Sequence, residues 1–87
     1  MKIKDGFILR EVAGSYLVVA VGDAVKNFNG IINLNETGAF LWRLAEKNVD
    51  EKEMTDALTA EYEVEKEVAE KDVKAFIEKL ESMKIIK

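Results

Sequence analysis

The hydrophobic pattern of this chain changes once, at Asn35. Before that residue, the apolar side chains come in short runs that are rich in β-branched residues and are separated by turn signals. After it, they recur at the three- to four-residue spacing of an amphipathic helix. Short β-branched runs predict strands, so the chain combines a small sheet with a set of helices. Both must cover one core, which predicts an α+β domain.

Three strands are predicted in the first part of the chain, over residues 7–12, 16–21 and 30–34. The first two flank the turn at 13–15, and a short connection that contains a glycine is typical of a hairpin. Asn27, Asn29 and Gly30 form a second turn cluster before the third strand. The pattern of residues 22–26 is ambiguous, and we interpret this segment as a loop.

Three helices are predicted in the remainder, over residues 36–47, 51–62 and 65–83. Asn35 is expected to cap the first helix, because its side chain can accept from the free N–H groups of the first turn. Asp50 and Glu53 have the spacing of a capping box at the start of the second helix. Trp42 is expected in the core. The core stripe of the third helix is Ala69, Val73, Phe76, Ile77 and Leu80.

The composition excludes several classes of function. The chain contains no Cys, no His and no Pro. Without Cys there is no disulfide, thiol nucleophile or cysteine-ligated zinc site, and without His the usual general base and the commonest transition-metal ligand are missing. A chain of 87 residues also has little volume for a deep cleft. We therefore expect a protein that is not an enzyme and that holds no cofactor and no metal.

The charge distribution and the absence of long apolar runs limit the partners. The net charge is −4, from 17 acidic and 13 basic residues, and the acidic residues are concentrated in residues 46–72. Such a section repels a phosphate backbone, so we expect no nucleic-acid partner. No apolar run reaches the length of a transmembrane helix, and the polar start of the chain lacks the apolar region of a signal peptide. A cytoplasmic protein without a membrane partner is expected.

The most informative motif is NLNETGAFLW, at residues 33–42. A strand that ends in Leu-Asn is followed by a helix start, a glycine and an aromatic residue before Leu-Trp. Together with the strand at 7–12, the segment 28–32, the pair 61–62 and the third helix around Phe76, the motif resembles the PqqD-like family. Members of this family are also called RiPP recognition elements, after the ribosomally made peptides that they serve.

The resemblance implies a winged-helix-like domain, β-β-β-α-α-α, in which a three-stranded antiparallel sheet is followed by three helices. Family members bind the leader of a precursor peptide as a further antiparallel strand on the third strand, in a groove beside the third helix. They then present the peptide to a modifying enzyme, often a radical SAM protein. By this resemblance, residues 1–87 are expected to be a single recognition domain that acts as a standalone peptide chaperone.

The candidate peptide-binding residues follow from this implied groove and from helical spacing. A short third strand at a sheet edge offers unpaired backbone groups. On the third helix, Ala75 is small enough to admit a peptide, and Asp72 and Lys79 are charges that can pair with it. The full set is Ile31, Ile32, Asn33, Val68, Lys71, Asp72, Ala75 and Lys79. Core packing of the isoleucines and simple solvation of the charged residues are the competing interpretations.

Two other functions stay open from the sequence. A winged-helix domain can bind DNA through its third helix, although residues 65–82 hold more acids than lysines and the hairpin turn has no basic residue. A homodimer is the other alternative, formed through an uncovered sheet edge or through the apolar tail at Ile85 and Ile86. Peptide binding is preferred because it accounts for the motif at 33–42.

Overall fold

The computed structural model describes residues 2–26 and 30–86. The strands are β1 (Phe7–Val12), β2 (Ser15–Ala20) and β3 (Ile31–Leu34), with a short 3₁₀ helix (Gly22–Lys26) between β2 and β3. The helices are α1 (Glu36–Ala45), α2 (Glu51–Tyr62) and α3 (Lys66–Ser82). This order confirms the expected α+β arrangement, with a three-stranded antiparallel sheet followed by three helices.

The hairpin turn between β1 and β2 is shorter than predicted. Val12 pairs with Ser15, so Ala13 and Gly14 alone form the turn. Both have positive φ angles, 52° and 82°, as the common two-residue hairpin turns require. Ala13 adopts this backbone without the conformational freedom of glycine, so a rule based on residue type assigns a longer turn.

The connection between β2 and β3 also differs from the prediction. The segment Gly22–Lys26 forms a 3₁₀ helix where a loop is expected, and short 3₁₀ turns are frequent connectors. Of the predicted turn cluster, Asn27 and Asn29 lie outside the described residues. Gly30, with a φ of 149°, leads directly into β3.

β2 is the central strand of the sheet, and β1 and β3 are its two edges. Val18 pairs with Ile32, and Val19 pairs with Ile31. Val18 and Ile32 are 0% and 2% exposed, so their face of the sheet packs on the core. Ile31, on the opposite face, is 59% exposed. β3 therefore directs one isoleucine to each face, as the two-residue period of a strand requires.

Side-chain caps fix the starts of the first two helices. The Gly38 N–H donates to Asn35 Oδ1 at 2.7 Å, which confirms the predicted cap of α1. The Glu53 N–H donates to Asp50 Oδ1 at 2.7 Å, and the Asp50 N–H donates to Glu53 Oε1 at 3.3 Å, which confirms the capping box of α2. α1 ends at Ala45, two residues earlier than predicted.

The core lies between the sheet and the three helices. Trp42 is fully buried, as predicted. The predicted stripe of α3 is buried at Ala69, Val73, Phe76 and Leu80, and it is half-buried at Ile77. The other elements contribute Val18, Leu41, Met54 and Leu58. Each helix thus buries its apolar side, and the sheet and helices share one core.

The two ends of the described chain are joined. Ile3 and Ile86 form an isolated antiparallel bridge, and the Lys4 N–H donates to the carbonyl of Ile85 at 2.7 Å. Ile85 itself is fully buried. The structure therefore does not favour the alternative in which the tail at Ile85 and Ile86 is a dimer surface, because Ile85 lies in the core and Ile86 forms the bridge.

Candidate functional site

A groove with a cavity volume of about 320 Å³ separates β3 and the start of α1 from α3. Its two sides come from distant parts of the sequence. Leu41 and Phe76 are 1% and 7% exposed, so they form the apolar floor. The complete lining is Asn33, Leu34, Asn35, Thr37, Gly38, Leu41, Asp72, Ala75, Phe76 and Lys79.

A larger cavity, of about 540 Å³, lies elsewhere on the molecule. Its lining is Lys4, Asp5, Phe7, Asp23, Ala24, Met83 and Lys84. Apart from Phe7, these residues belong to the chain before β1, to the 3₁₀ helix and to the segment after α3. Volume alone favours this cavity. The smaller groove is the better candidate because it runs beside β3, a strand edge on which an extended ligand can pair.

The turn from β3 into α1 builds one corner of the groove. A single residue, Asn35, separates the two elements, and its side chain caps the helix at Gly38. A Cβ atom at position 38 would lie 3.2 Å from Asn35 Oδ1 and 3.3 Å from Leu34 Cβ, which is tighter than ordinary contact. Gly38 therefore allows close packing of the strand end on the helix. The predicted site omits Asn35, Thr37 and Gly38, although the motif at 33–42 contains all three and all three line the groove.

Within the residues that the structure describes, β3 lacks the usual protection of a sheet edge. In the part of the chain that the structure describes, it pairs only with β2. Its sequence, IINL, contains no charged residue and no proline, the residue types that commonly prevent pairing at an edge. Its outward backbone N–H and C=O groups are therefore available to a further strand.

Half of the predicted site residues meet in the groove. Asn33 comes from β3, and Asp72, Ala75 and Lys79 come from α3. The other two predicted residues of β3, Ile31 and Ile32, do not line the groove. Ile31 is exposed on the outer face of the edge strand. Ile32 packs its side chain into the core, so only its backbone can contribute to binding at this edge.

Val68 and Lys71 lie on α3 but outside the lining of the groove. Val68 is 46% exposed, and Lys71 is also exposed. Each is one helical turn before a lining residue, Asp72 for Val68 and Ala75 for Lys71. Contact between these two side chains and a longer ligand stays a prediction.

Asp72 and Lys79 are the charged residues of the lining. Both are exposed, and within residues 2–26 and 30–86 neither forms an ion pair. The ion pairs found there join surface residues outside the groove, Lys26 with Asp23 and Lys52 with Asp56. The carboxylate and the ammonium group of the groove can therefore pair with charges on a ligand.

Tyr62 and Lys52, which both have a raised pKa, lie outside the groove. Among the described residues, no group of three or more His, Cys, Asp or Glu side chains is placed to hold a metal ion. The pKa of Tyr62 is raised, mainly by partial burial of the phenol and then by Glu36. The pKa of Lys52 is raised by its hydrogen bond to Asp56. A raised pKa leaves each of these two groups in its usual form at neutral pH.

None of the helices that the structure describes is both long and apolar enough to cross a bilayer.

Two solved structures are similar to this chain along most of its length. One, described as "TbiB1 in Complex with the TbiA(beta) Leader Peptide", has a TM-score of 0.79 and 23% identity, with 100% of this chain and 95% of that chain covered. Another, described as "Lasso peptide synthetase B1 complexed with the leader peptide", has a TM-score of 0.73 and 21% identity, with 93% and 89% covered. At these identities the likeness establishes the fold. No curated protein is similar enough to be matched.

The family assignment comes from a match to a family model. The model is described as "Coenzyme PQQ synthesis protein D (PqqD)", and it matches residues 8–86. The match includes both sides of the groove and the motif at 33–42, so it confirms the resemblance that the sequence suggests. With almost the whole chain matched, this protein belongs to the PqqD family.

Proposed function

We propose that this protein binds the leader of a ribosomally made precursor peptide and presents it to a modifying enzyme. The leader adds to β3 as a further antiparallel strand and lies in the groove beside α3. The observation that carries the proposal is the unprotected edge of β3 next to that groove. Membership of the PqqD family supports it, and so do the two similar structures, each described as a complex with a leader peptide.

Backbone hydrogen bonds supply the part of the affinity that does not depend on sequence. β3 has four residues, so the paired segment of the leader is short. A typical hydrogen bond of this kind contributes about 0.5–1.5 kcal/mol net. Because any extended peptide can make these bonds, selection of one leader has to come from the side chains that line the groove.

The role of the protein in this scheme is binding, without catalysis. The groove contains no nucleophile paired with a base, and the chain has neither His nor Cys. A leader held on β3 keeps the rest of the precursor at a high effective concentration near a bound enzyme. Radical SAM proteins are one class of enzyme for this role. The similar structure described as a lasso peptide synthetase B1 adds lasso-peptide assembly as a second.

Affinity capture followed by nuclear magnetic resonance tests the proposal. Tagged protein is incubated with an extract of its own host, and the bound peptides and proteins are identified by mass spectrometry. The leader of a recovered precursor is then synthesised and titrated into isotope-labelled protein. We expect amide shifts in β3 and α3, with α2 unchanged. Shifts concentrated in α2 would contradict binding in the groove.

A homodimer is the competing use of the same edge, because a second copy can pair with β3 as a leader does. Light scattering of the free protein and of the protein with leader distinguishes the two. A monomer that stays monomeric on binding supports leader addition. A dimer that the leader does not dissociate would show that the edge serves self-association. Binding of DNA is not favoured, given the family and the free acidic side chain of Asp72 on α3.

A further inference from the structure

The charged side chains of the groove all come from α3. Asp72 and Lys79 line it, whereas the opposite side contributes amide, hydroxyl and aliphatic groups. The two positions are seven residues apart, which corresponds to about 10 Å along a helix axis at 1.5 Å per residue. Ala75 and Phe76 lie midway between them. The helix side of the groove therefore presents a negative group, an apolar centre and a positive group in a row.

An extended peptide can match this row with alternate residues. Side chains on one face of a strand repeat every second residue, so residues i and i+4 are about 13 Å apart. For a peptide that runs along α3 in the groove, that separation brings flexible charged side chains at i and i+4 within reach of both α3 charges. Residue i+2 then lies over the floor of Leu41 and Phe76, which is apolar and almost fully buried.

We propose that the groove selects leaders with opposite charges at positions i and i+4 and an apolar residue at i+2, all on the face turned toward α3. A basic residue pairs with Asp72 and an acidic residue pairs with Lys79. Because the two α3 charges are fixed in order along the helix, one order of charges in the peptide is accepted and the reverse order is disfavoured. This inference rests on the proposed strand addition to β3 and assigns the chemistry of the peptide that fills the site.

The test uses three synthetic peptides with blocked ends on one neutral, Thr- and Gln-rich background. The first carries Lys, Leu and Glu at i, i+2 and i+4, the second carries Glu, Leu and Lys, and the third carries Gln, Leu and Gln. Each is titrated into isotope-labelled protein, and the amides of β3 and α3 are followed. We expect one charged peptide to bind on the order of fivefold more tightly than its reverse, with the neutral peptide between them. The preference should shrink as salt is added.

A charge exchange separates a specific contact from a general charge effect. The double variant Asp72→Lys with Lys79→Asp keeps the net charge and should invert the preference between the two charged peptides. The matched control is Lys74→Glu with Glu81→Lys, which exchanges opposite charges seven residues apart on the same helix, at exposed positions outside the lining. This control should keep the order of the parent protein.

The possible results test charge selection and strand addition separately. Peptides that shift β3 with equal affinity, whatever their charges, would overturn the charge selection and leave strand addition standing. Inversion by the control variant as well as by the groove variant would also overturn it, because the preference would then report the whole helix. Peptides that leave β3 unchanged at every concentration would remove the strand site itself, and the inference with it.

Discussion

β1 and β3 are both edges of one sheet, but they offer different surfaces to a further strand. β1 has the sequence FILREV, with Arg10 and Glu11 in its second half. β3 has the sequence IINL and carries no charge. Charged side chains are a common means of preventing edge pairing. The unprotected edge is also the one that borders the groove with α3, so a strand added there would lie beside the side chains that line the groove.

Hydrophobicity does not distinguish the two edges. Ile8 of β1 and Ile31 of β3 both pair with Val19, so the three side chains form one row across the outer face of the sheet. Ile8 is 37% exposed and Ile31 is 59% exposed. An apolar residue at an edge is thus insufficient to mark a binding strand. The absence of charge and the presence of a neighbouring helix are the features that set β3 apart.

Of the changes considered, blocking the groove should lower leader affinity the most. In Ala75→Trp, the indole occupies the space between α3 and β3, because Ala75 lines the groove. Overfilling a packed site costs about 1–3 kcal/mol, so affinity for the leader should fall on the order of tenfold or more. Ala75 is exposed, and stability should change little. Isothermal titration with the captured leader measures the effect.

The matched control for this change is Ala60→Trp. Ala60 is also an exposed alanine on a helix, but it lies on α2 outside the groove. It should bind the leader like the parent protein. Equal losses in both variants would mean that tryptophan disturbs the protein in general, and unchanged affinity in Ala75→Trp would remove α3 from the site.

Adding a charge to each edge strand in turn tests which of the two strands binds the leader. Ile31→Lys adds the kind of residue that protects natural edges, beside the position proposed for the leader strand. Cross-strand side-chain pairs are worth about 0.2–1 kcal/mol, so leader affinity should fall up to about fivefold. Ile8→Lys makes the same change in the same cross-strand row on β1, and it should leave affinity unaltered.

The same pair of variants can also show that β3 is not the edge that binds the leader. Both substitutions remove an apolar contact with Val19, so both should lower stability by similar small amounts. Loss of leader binding in Ile8→Lys alone would place the added strand on β1. Equal loss in both would point to the outer face of the sheet as the peptide contact, instead of the edge of β3.

The sequence predicts those features of the fold that depend on local patterns. The strand Phe7–Val12 and the helix Glu51–Tyr62 have the predicted bounds, and the caps at Asn35 and Asp50 form as expected. Each of these depends on side chains within a few residues of one another. The turn at Ala13 is the local failure, because it depends on a backbone conformation that alanine seldom adopts.

The groove is harder to predict from the sequence because it depends on strand register and on the packing of distant elements. Two adjacent isoleucines give no indication of which one faces the core, and the pairing of Ile32 with Val18 decides it. The spacing of α3 places Asp72, Ala75 and Lys79 on one side of the helix, and all three line the groove. The spacing does not indicate how far the groove extends along the helix, and Val68, which the same spacing predicts, lies outside the lining.

Removal of the two helix caps should produce the smallest difference in leader affinity. Asn35→Ala and Asp50→Ala each remove a side chain that caps a helix, and each should lower the free energy of unfolding by about 1 kcal/mol. Urea titration followed by the fluorescence of Trp42, the one tryptophan in the chain and fully buried, measures both free energies of unfolding.

Asn35 also forms a corner of the groove, whereas Asp50 does not line it. Leader affinity should therefore fall on the order of twofold in Asn35→Ala alone, because the corner is less well ordered before binding. Equal affinities in the two variants would show that the start of α1 supports the fold without shaping the site, and the leader would then be held by β3 and α3.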